Sequence, residues 1–164
     1  MSMLWQEVFV PDSVVASDGF TAELGGTVEM SLALAVERGP GWTHEVAGRA
    51  LDVESTIWSD DGWLIDVDGL GIYVIGKPVP PPGTWTTVHG RLRFAEGYET
   101  DGFVPAEEVL RRARRTFTVR RIVRLDLVRG RPGTVRLGSG EEVTEVRWAG
   151  ADTRSYLLDL ALVP

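Results

Sequence analysis

The sequence predicts an all-β, mainly antiparallel protein, built as a small barrel or a two-sheet sandwich with one amphipathic helix. Short runs of β-branched and aromatic residues with alternating polarity recur along most of the chain, and turn signals separate them. The length of 164 residues and the hydrophobic fraction of 43% are typical of one soluble domain with its own core. We therefore expect a single β-rich domain over residues 1–164.

Ten strands are predicted from these runs. They lie near residues 4–10, 28–37, 50–58, 63–68, 71–77, 84–95, 116–129, 133–138, 142–149 and 154–162. Asp61-Gly62 and Asp68-Gly69 are strong hairpin signals, because both residue types tolerate the positive φ of a two-residue turn. The sequence around these dipeptides therefore predicts two consecutive hairpins.

Two segments of the chain resemble each other. Trp42–Arg49 and Trp85–Arg91 both begin with Trp-Thr and end with Val-x-Gly-Arg. Their glycines, Gly48 and Gly90, are of the kind that lets a strand bend around a small barrel. A bent strand near 84–95, followed by a helix and further strands, resembles the order of elements in an OB-fold barrel, so an OB-like topology is one option for the fold.

The predicted helix lies near residues 105–115. Pro105 suits its first turn, and apolar residues recur at helical spacing. These residues are Ala106, Val109, Leu110 and Ala113. Two glutamates in the first turn and four arginines in the last complement the helix dipole and form i, i+4 pairs. We expect a solvated helix whose charges are paired along its own length.

Charge is unevenly distributed along the chain. The net charge is −7, yet residues 111–136 contain ten arginines and a single aspartate, for a local charge of +9. An acidic protein does not bind nucleic acid with its whole surface, but such a block can form a basic face on an acidic body. The candidate binding face consists of arginines on the predicted strand 116–129 and on the hairpin after it: Arg120, Arg124, Arg129, Arg131 and Arg136.

Arg121 falls among the apolar positions of the strand predicted over 116–129. Phe117, Val119 and Val123 share its parity along the strand. A charged residue at an inward position needs a partner or an exit to solvent. Three interpretations are open: Arg121 lies near a barrel mouth, it pairs with a buried carboxylate, or it marks a β-bulge that reverses the alternation.

Tryptophan is the most informative aromatic residue of the chain, which contains six. Most are expected in the core. Trp58 and Trp63 flank the predicted turn 59–62 and form a candidate cross-strand pair. If their face is open, they would anchor a protein, a sugar or a nucleic-acid base, and they are added to the candidate binding face.

Several kinds of chemistry are excluded or unsupported. The chain has no cysteine, which removes thiol catalysis, disulfides and Cys-ligated metals. It has no phosphate-binding glycine motif and no Gly-x-Ser-x-Gly elbow. The two histidines are expected in ordinary settings, His89 facing outward on a strand and His44 in a loop. We predict no catalytic residue, cofactor or metal ligand.

The N-terminus has no basic region followed by an apolar segment, and no apolar run approaches the roughly 20 residues of a membrane-spanning helix. A cytoplasmic location is therefore the expectation. Only Lys77 among the 17 basic residues is not arginine, a bias typical of GC-rich bacterial genomes.

Three functional hypotheses follow. The first is a non-enzymatic interaction module that binds another protein or a second copy of itself as a homodimer, because an acidic surface with one arginine-rich face suits charge-complementary docking. The alternative is an OB-like protein that binds single-stranded nucleic acid through the arginine-rich face. The third is a hydrolase that uses His89 or carboxylates without a recognisable motif.

Overall fold

The structure of the protein is a computed structural model that describes residues 4–17, 19–36, 44–51, 62–75, 80–95, 113–126 and 140–164. Strands dominate these ranges, as the sequence predicts. The strands are β1 (Leu4–Val10), β2 (Ala22–Glu23), β3 (Thr27–Met30), β4 (Leu32–Ala35), β5 (His44–Leu51), β6 (Gly62–Val67), β7 (Leu70–Ile75), β8 (Trp85–Phe94), β9 (Arg115–Leu125), β10 (Gly140–Glu142), β11 (Glu145–Val146) and β12 (Tyr156–Leu162). A helix, α1 (Asp12–Ser17), and a 3-10 turn at Gly150–Asp152 complete the described elements.

The chain divides into two compact units. One contains Met1–Val28 and Thr116–Pro164, and the other contains Glu29–Arg115. Each unit has its own buried apolar residues. The expectation of one domain over residues 1–164 stays a prediction.

The unit Glu29–Arg115 contains a closed five-stranded barrel. β5 pairs with β6 and β6 with β7 in antiparallel ladders, and β7 then pairs in parallel with β4. β8 closes the barrel because it is antiparallel to both β4 and β5. The structure thus confirms the predicted all-β, mainly antiparallel class, and in this unit the barrel rather than the sandwich.

The cyclic strand arrangement of this barrel matches that of an OB barrel. The strands β5, β6 and β7 are antiparallel neighbours, and β7 is followed by its parallel neighbour β4. β8 then lies between β4 and β5. The order along the chain differs, because the strand in the position of the last OB strand, β4, comes first here. The barrel thus shares only the cyclic order of neighbouring strands with an OB barrel, and its strands follow one another differently along the chain.

Alternation of side chains divides the barrel wall into two faces. Neighbours in register on the inner face are apolar and fully buried: Leu34, Ile65, Ile72, Val74 and Leu92. Part of the outer face is also buried, where Leu64 and Tyr73 pack with Ala33, Ala95 and Ala113. The rest of the outer face, on β5 and β8, is polar and open to solvent.

Gly48 and Gly90 are strand-interior glycines at points of close backbone contact, as the sequence predicts. A Cβ on Gly48 would lie 2.1 Å from the carbonyl oxygen of Asp66 on β6. A Cβ on Gly90 would lie 2.2 Å from the carbonyl oxygen of Ala35 on β4. No side chain fits at either position, so glycine is required for the strands to approach and coil at these points.

The Asp68-Gly69 hairpin is confirmed. Val67 and Leu70 face each other across β6 and β7, and the two turn residues have φ values of 51° and 88°. Positive φ at both central residues is the signature of a type I′ turn, whose twist matches that of the strands. Asp61 lies outside the described residues, so the other predicted hairpin stays a prediction.

The other unit contains antiparallel strands in the order β10-β9-β12-β1, and β2 and β11 form a separate two-stranded sheet. The short helix α1 buries Val14 and Val15. The sequence analysis missed this helix, because six residues form less than two turns and show no helical periodicity. Of the helix predicted near 105–115, residues 105–112 lie outside the described residues, Ala113 is helical, and Arg115 already belongs to β9.

Three further predictions need correction or stay open. The strand expected near 50–58 begins earlier, at His44, so His44 is a strand residue and not a loop residue. Its Nδ1 atom accepts a hydrogen bond from the Leu92 N–H at 3.1 Å, which ties β5 to β8. Within the range expected near 142–149, Glu142 is the last residue of β10 and Glu145–Val146 forms β11. Residues 133–138 are not among those described.

We expect Gly90→Ala to lower the free energy of unfolding by about 3 kcal/mol or more, because the new methyl group collides with backbone that cannot rotate away. Urea denaturation of the purified protein measures this loss. Thr87→Ala on the same strand is the control, since its side chain faces outward and its loss should change stability by less than about 1 kcal/mol. Equal losses for the two variants would contradict the close-contact argument.

Candidate functional site

The open outer face of the barrel is the candidate site. Its side chains come from alternate positions of β5 and β8, which pair in register. We call it the Trp85 face, and it consists of Glu45, Ala47, Arg49, Trp85, Thr87 and His89. Closure of the barrel holds the backbone of both strands, so the relative positions of these side chains are fixed by the fold.

Among the described residues of this unit, Trp85 is the most exposed large apolar residue, with 65% of its surface accessible. Its backbone is well held, because the Gly83 N–H donates to Ala50 O and the Ala50 N–H donates to Thr84 O, both at 2.8 Å. Tryptophan usually buries its large ring. An exposed indole on a rigid strand is therefore a feature that folding does not explain.

Arg49 lies beside Trp85 and is available for an external partner. Arg49 is in register with Trp85 on β8 and with Asp66 on β6. The three residues form a row of carboxylate, guanidinium and indole across three strands. Within the part of the chain that the structure describes, Arg49 forms no ion pair, even though Asp66 is its neighbour.

His89 and Glu45 form the other end of the face. Their Nε2 and Oε2 atoms are 3.1 Å apart, and both side chains are more than half exposed. His89 therefore faces outward, as expected. A His–carboxylate pair can support acid–base chemistry, but catalytic pairs are usually desolvated in a cleft, and this one is open to water.

The arginine-rich candidate face is only partly within the described residues, and one of its two described arginines is paired with a glutamate. Arg124 on β9 pairs with Glu141 on β10, and Arg121 pairs with Glu142. Arg120 is exposed and forms no ion pair with any described residue. The remaining members of the predicted face, Arg129, Arg131, Arg136 and Trp58, lie outside the described residues.

A β-bulge accounts for the position of Arg121 in the strand. Asp159 and Leu160 are consecutive residues of β12, and they pair with Arg121 and Val119 of β9. Arg120, between these two, has no partner on β12 and is therefore the extra residue of the bulge. The alternation reverses at this point, and Ile122 is buried in place of the expected Val123. Of the three interpretations left open by the sequence, the bulge is correct, and the carboxylate partner of Arg121 is exposed rather than buried.

Asp159 connects this bulge to a second one. On the other side of β12, β1 is also irregular between Trp5 and Val8, and Glu7 has a φ of 54°. The Glu7 N–H donates to Asp159 Oδ1 at 2.9 Å, and Asp159 is only 8% exposed. One buried carboxylate thus supports irregular backbone in β1 and faces the bulged region of β9.

The charges around Arg121 stabilise its protonated form. Its side-chain hydrogen bond to Glu142 raises the pKa of the guanidinium above its ordinary value. The carboxylates of Asp159 and Glu7 act in the same direction. The guanidinium of Arg121 is therefore charged and is already paired with a carboxylate of its own chain. Such a pairing is typical of an arginine that stabilises the fold, not of one that binds a ligand.

Trp63 does not form part of an exposed aromatic pair, which was the condition for its role in the candidate binding face. It lies on β6 and is only 6% exposed, so it is not available as a surface anchor. Its indole N–H has no hydrogen-bond partner among the described residues. The sequence analysis instead overlooked Trp85, although the buried residues Leu92 and Phe94 have the opposite parity on β8 and so indicate that Trp85 faces outward.

The described residues contain no group of three or more His, Cys, Asp or Glu side chains suited to a metal ion. No described helix is long and apolar enough to span a membrane. The site that the structure offers is thus a surface with one exposed indole and one guanidinium, flanked by a His–Glu pair.

Asp159→Ala is expected to lower the free energy of unfolding by about 1–3 kcal/mol, because it leaves the Glu7 N–H without its acceptor. Asp159→Asn should lower it less, since the amide oxygen can still accept that hydrogen bond. Urea denaturation of both variants measures the difference. Equal losses would show that the charge of Asp159, and not its acceptor, stabilises the bulge.

Comparison with known proteins identifies no relative. No protein-family model matches the sequence, no curated protein is significantly similar to it, and no solved structure matches the fold. Any function proposed for the protein therefore depends on its own residues.

Proposed function

We propose that the protein is a non-enzymatic protein-interaction module that binds its partner through the Trp85 face. The observation that carries the proposal is the 65% exposed Trp85 on a closed, rigid barrel. Tryptophan and arginine are enriched among the residues that dominate binding energy at protein interfaces. Trp85 beside Arg49 is such a pair, and the adjacent His89 and Glu45 provide the polar rim that these interfaces usually have.

Rigidity strengthens this proposal. Binding costs free energy when loops or side chains must be ordered, and a preorganised surface avoids part of that cost. The backbone of Trp85 is fixed by the turn hydrogen bonds to Ala50 and by the ladder to β5. The indole is therefore presented at little entropic cost to a partner.

Nucleic-acid binding through the arginine-rich face has less support. Arg121 and Arg124 are each paired with a glutamate of β10, which reduces the local positive charge available to phosphates. The net charge of the chain is −7, which repels a polyanion at long range. Hydrolysis by His89 and Glu45 also has less support, because the pair is open to solvent.

A photo-crosslinking amino acid in place of Thr87 tests the proposal in cells. We expect ultraviolet light to yield adducts with protein, because position 87 lies next to Trp85 on the same face. Adding Trp85→Ser should reduce these adducts at least about tenfold, the loss expected when an interface anchor is removed. The readout is the mass of the adducts on denaturing gels and by mass spectrometry.

The same amino acid at the exposed position 151, in the other unit, is the control for random collision. Trp148→Ser is the matched control variant, since Trp148 is also 65% exposed. Adducts that do not depend on position or on Trp85 would refute the proposal. Adducts that nuclease removes would support the nucleic-acid alternative.

For the arginine-rich face we expect a negative result. When the protein is titrated into fluorescently labelled single-stranded DNA or RNA at low salt, anisotropy should not change, because Arg121 and Arg124 of β9 are paired with glutamates. Binding that weakens steeply with salt and is lost in the Arg124→Glu, Arg131→Glu variant would instead establish the nucleic-acid function.

A further inference from the structure

We propose that His44 is a pH switch in the barrel. When its imidazole is neutral, it joins the start of β5 to β8, and when the imidazole is protonated, the two strands separate at this end. The inference goes beyond the proposed function, because it concerns the free protein and needs no partner. It is carried by one hydrogen bond, in which the Leu92 N–H donates to His44 Nδ1 at 3.1 Å.

The direction of this hydrogen bond fixes the protonation state of the ring. A backbone N–H can only donate, so Nδ1 of His44 must accept and cannot carry a proton. The ring is therefore the neutral tautomer with its proton on Nε2. Protonation of Nδ1 turns the acceptor into a second donor that faces the Leu92 N–H, and the hydrogen bond is lost.

The hydrogen bond extends the pairing of β5 with β8 beyond the first pair of the ladder. β5 begins at His44, which is in register with Gly90, and Leu92 lies two residues further along β8. The imidazole thus accepts a backbone N–H as a strand carbonyl would. Because β8 closes the barrel by pairing with both β4 and β5, loss of this acceptor opens one end of a pairing on which closure depends.

The charged side chains around His44 lie on the other face of the strands. By strand alternation, His44 shares its face with Val46 on β5 and with Gly90 and Leu92 on β8. β4 contains no titratable residue, and Asp66 of β6 pairs with the opposite end of β5. The charged or titratable residues of β5 and β8 other than His44 all have the opposite parity: Glu45, Arg49, His89, Arg91 and Arg93.

His89 titrates in the same pH range, and its effect on the two strands has the opposite sign. The chain has two histidines and no cysteine, and histidine is the side chain whose ordinary pKa lies between about 5 and 8. Protonation gives His89 a charge opposite to that of Glu45, whose Oε2 is 3.1 Å from its Nε2. This contact between β5 and β8 is then strengthened, so a test of the switch must separate the two histidines.

Hydrogen exchange of single backbone amides, measured by nuclear magnetic resonance, tests the proposal. The protection factor of the Leu92 amide should be about tenfold lower at about pH 5 than at about pH 8, the change expected when one hydrogen bond is lost. The Ala50 N–H, which donates to Thr84 O at 2.8 Å, is the internal reference. Its acceptor is a backbone carbonyl that does not titrate, so its protection should stay constant.

Two variants assign the effect to one histidine. In His44→Asn, Oδ1 is attached to Cγ as Nδ1 was and accepts a hydrogen bond at every pH, so Leu92 protection should no longer depend on pH. His89→Gln is the matched control, because its amide can still donate to Glu45 but does not titrate. In this variant, Leu92 protection should fall with acid at least as much as in the wild type.

A Leu92 protection factor that is equal at both pH values in the wild type and in His89→Gln would overturn the inference. So would a fall of protection that persists in His44→Asn. If His44→Asn does not fold, the ring nitrogen resonances of the wild type decide the question. Nδ1 of His44 should gain its proton over the pH range in which Leu92 loses protection, whereas a ring that already carries its proton on Nδ1 at about pH 8 would refute the switch.

Discussion

Close backbone contact at two glycines is the constraint on which the barrel depends. Five strands close only if they coil strongly, and the coiling brings β5 against β6 at Gly48 and β8 against β4 at Gly90. The register of β5 and β8, which closes the barrel, places Arg49 beside Trp85. The geometry of the candidate site therefore follows from the closure of the barrel, because its residues lie on barrel strands and not on a loop.

In the other unit, a buried carboxylate stabilises irregular backbone. Two β-bulges flank β12, and Asp159 lies between them as acceptor for Glu7 and as neighbour of Arg121. A bulge leaves backbone groups without ladder partners, so a side-chain acceptor at that point replaces a missing carbonyl. Asp159, Arg121 and Arg124 thus have a structural explanation, which weakens the case that these arginines recognise an external anion.

The local features of the fold were predictable from the sequence, and the long-range ones were not. Asp68-Gly69 specifies its turn by backbone chemistry alone, and the outward direction of Trp85 follows from strand parity. By contrast, the ion pair between Arg124 and Glu141 could not be predicted. The two residues are 17 positions apart in the sequence, and Glu141 lies on β10, which has no alternating pattern of polar and apolar residues. The pairing of β4 with β7 and β8 likewise could not be predicted from the alternation of residues within each strand. The register between strands that are distant in sequence depends on how the whole barrel closes.

In the interface that we propose, Trp85 and Arg49 have different roles. Burying an indole releases free energy with almost any apolar surface, so Trp85 alone would bind without selectivity. Burying a guanidinium without a counterion is costly, and Arg49 has no ion-pair partner among the described residues of its own chain. Only a surface that supplies a carboxylate at the matching position can cover both side chains. In the proposed interface Arg49 therefore makes the contact selective, because a neutral surface that covers both side chains leaves a buried charge unpaired.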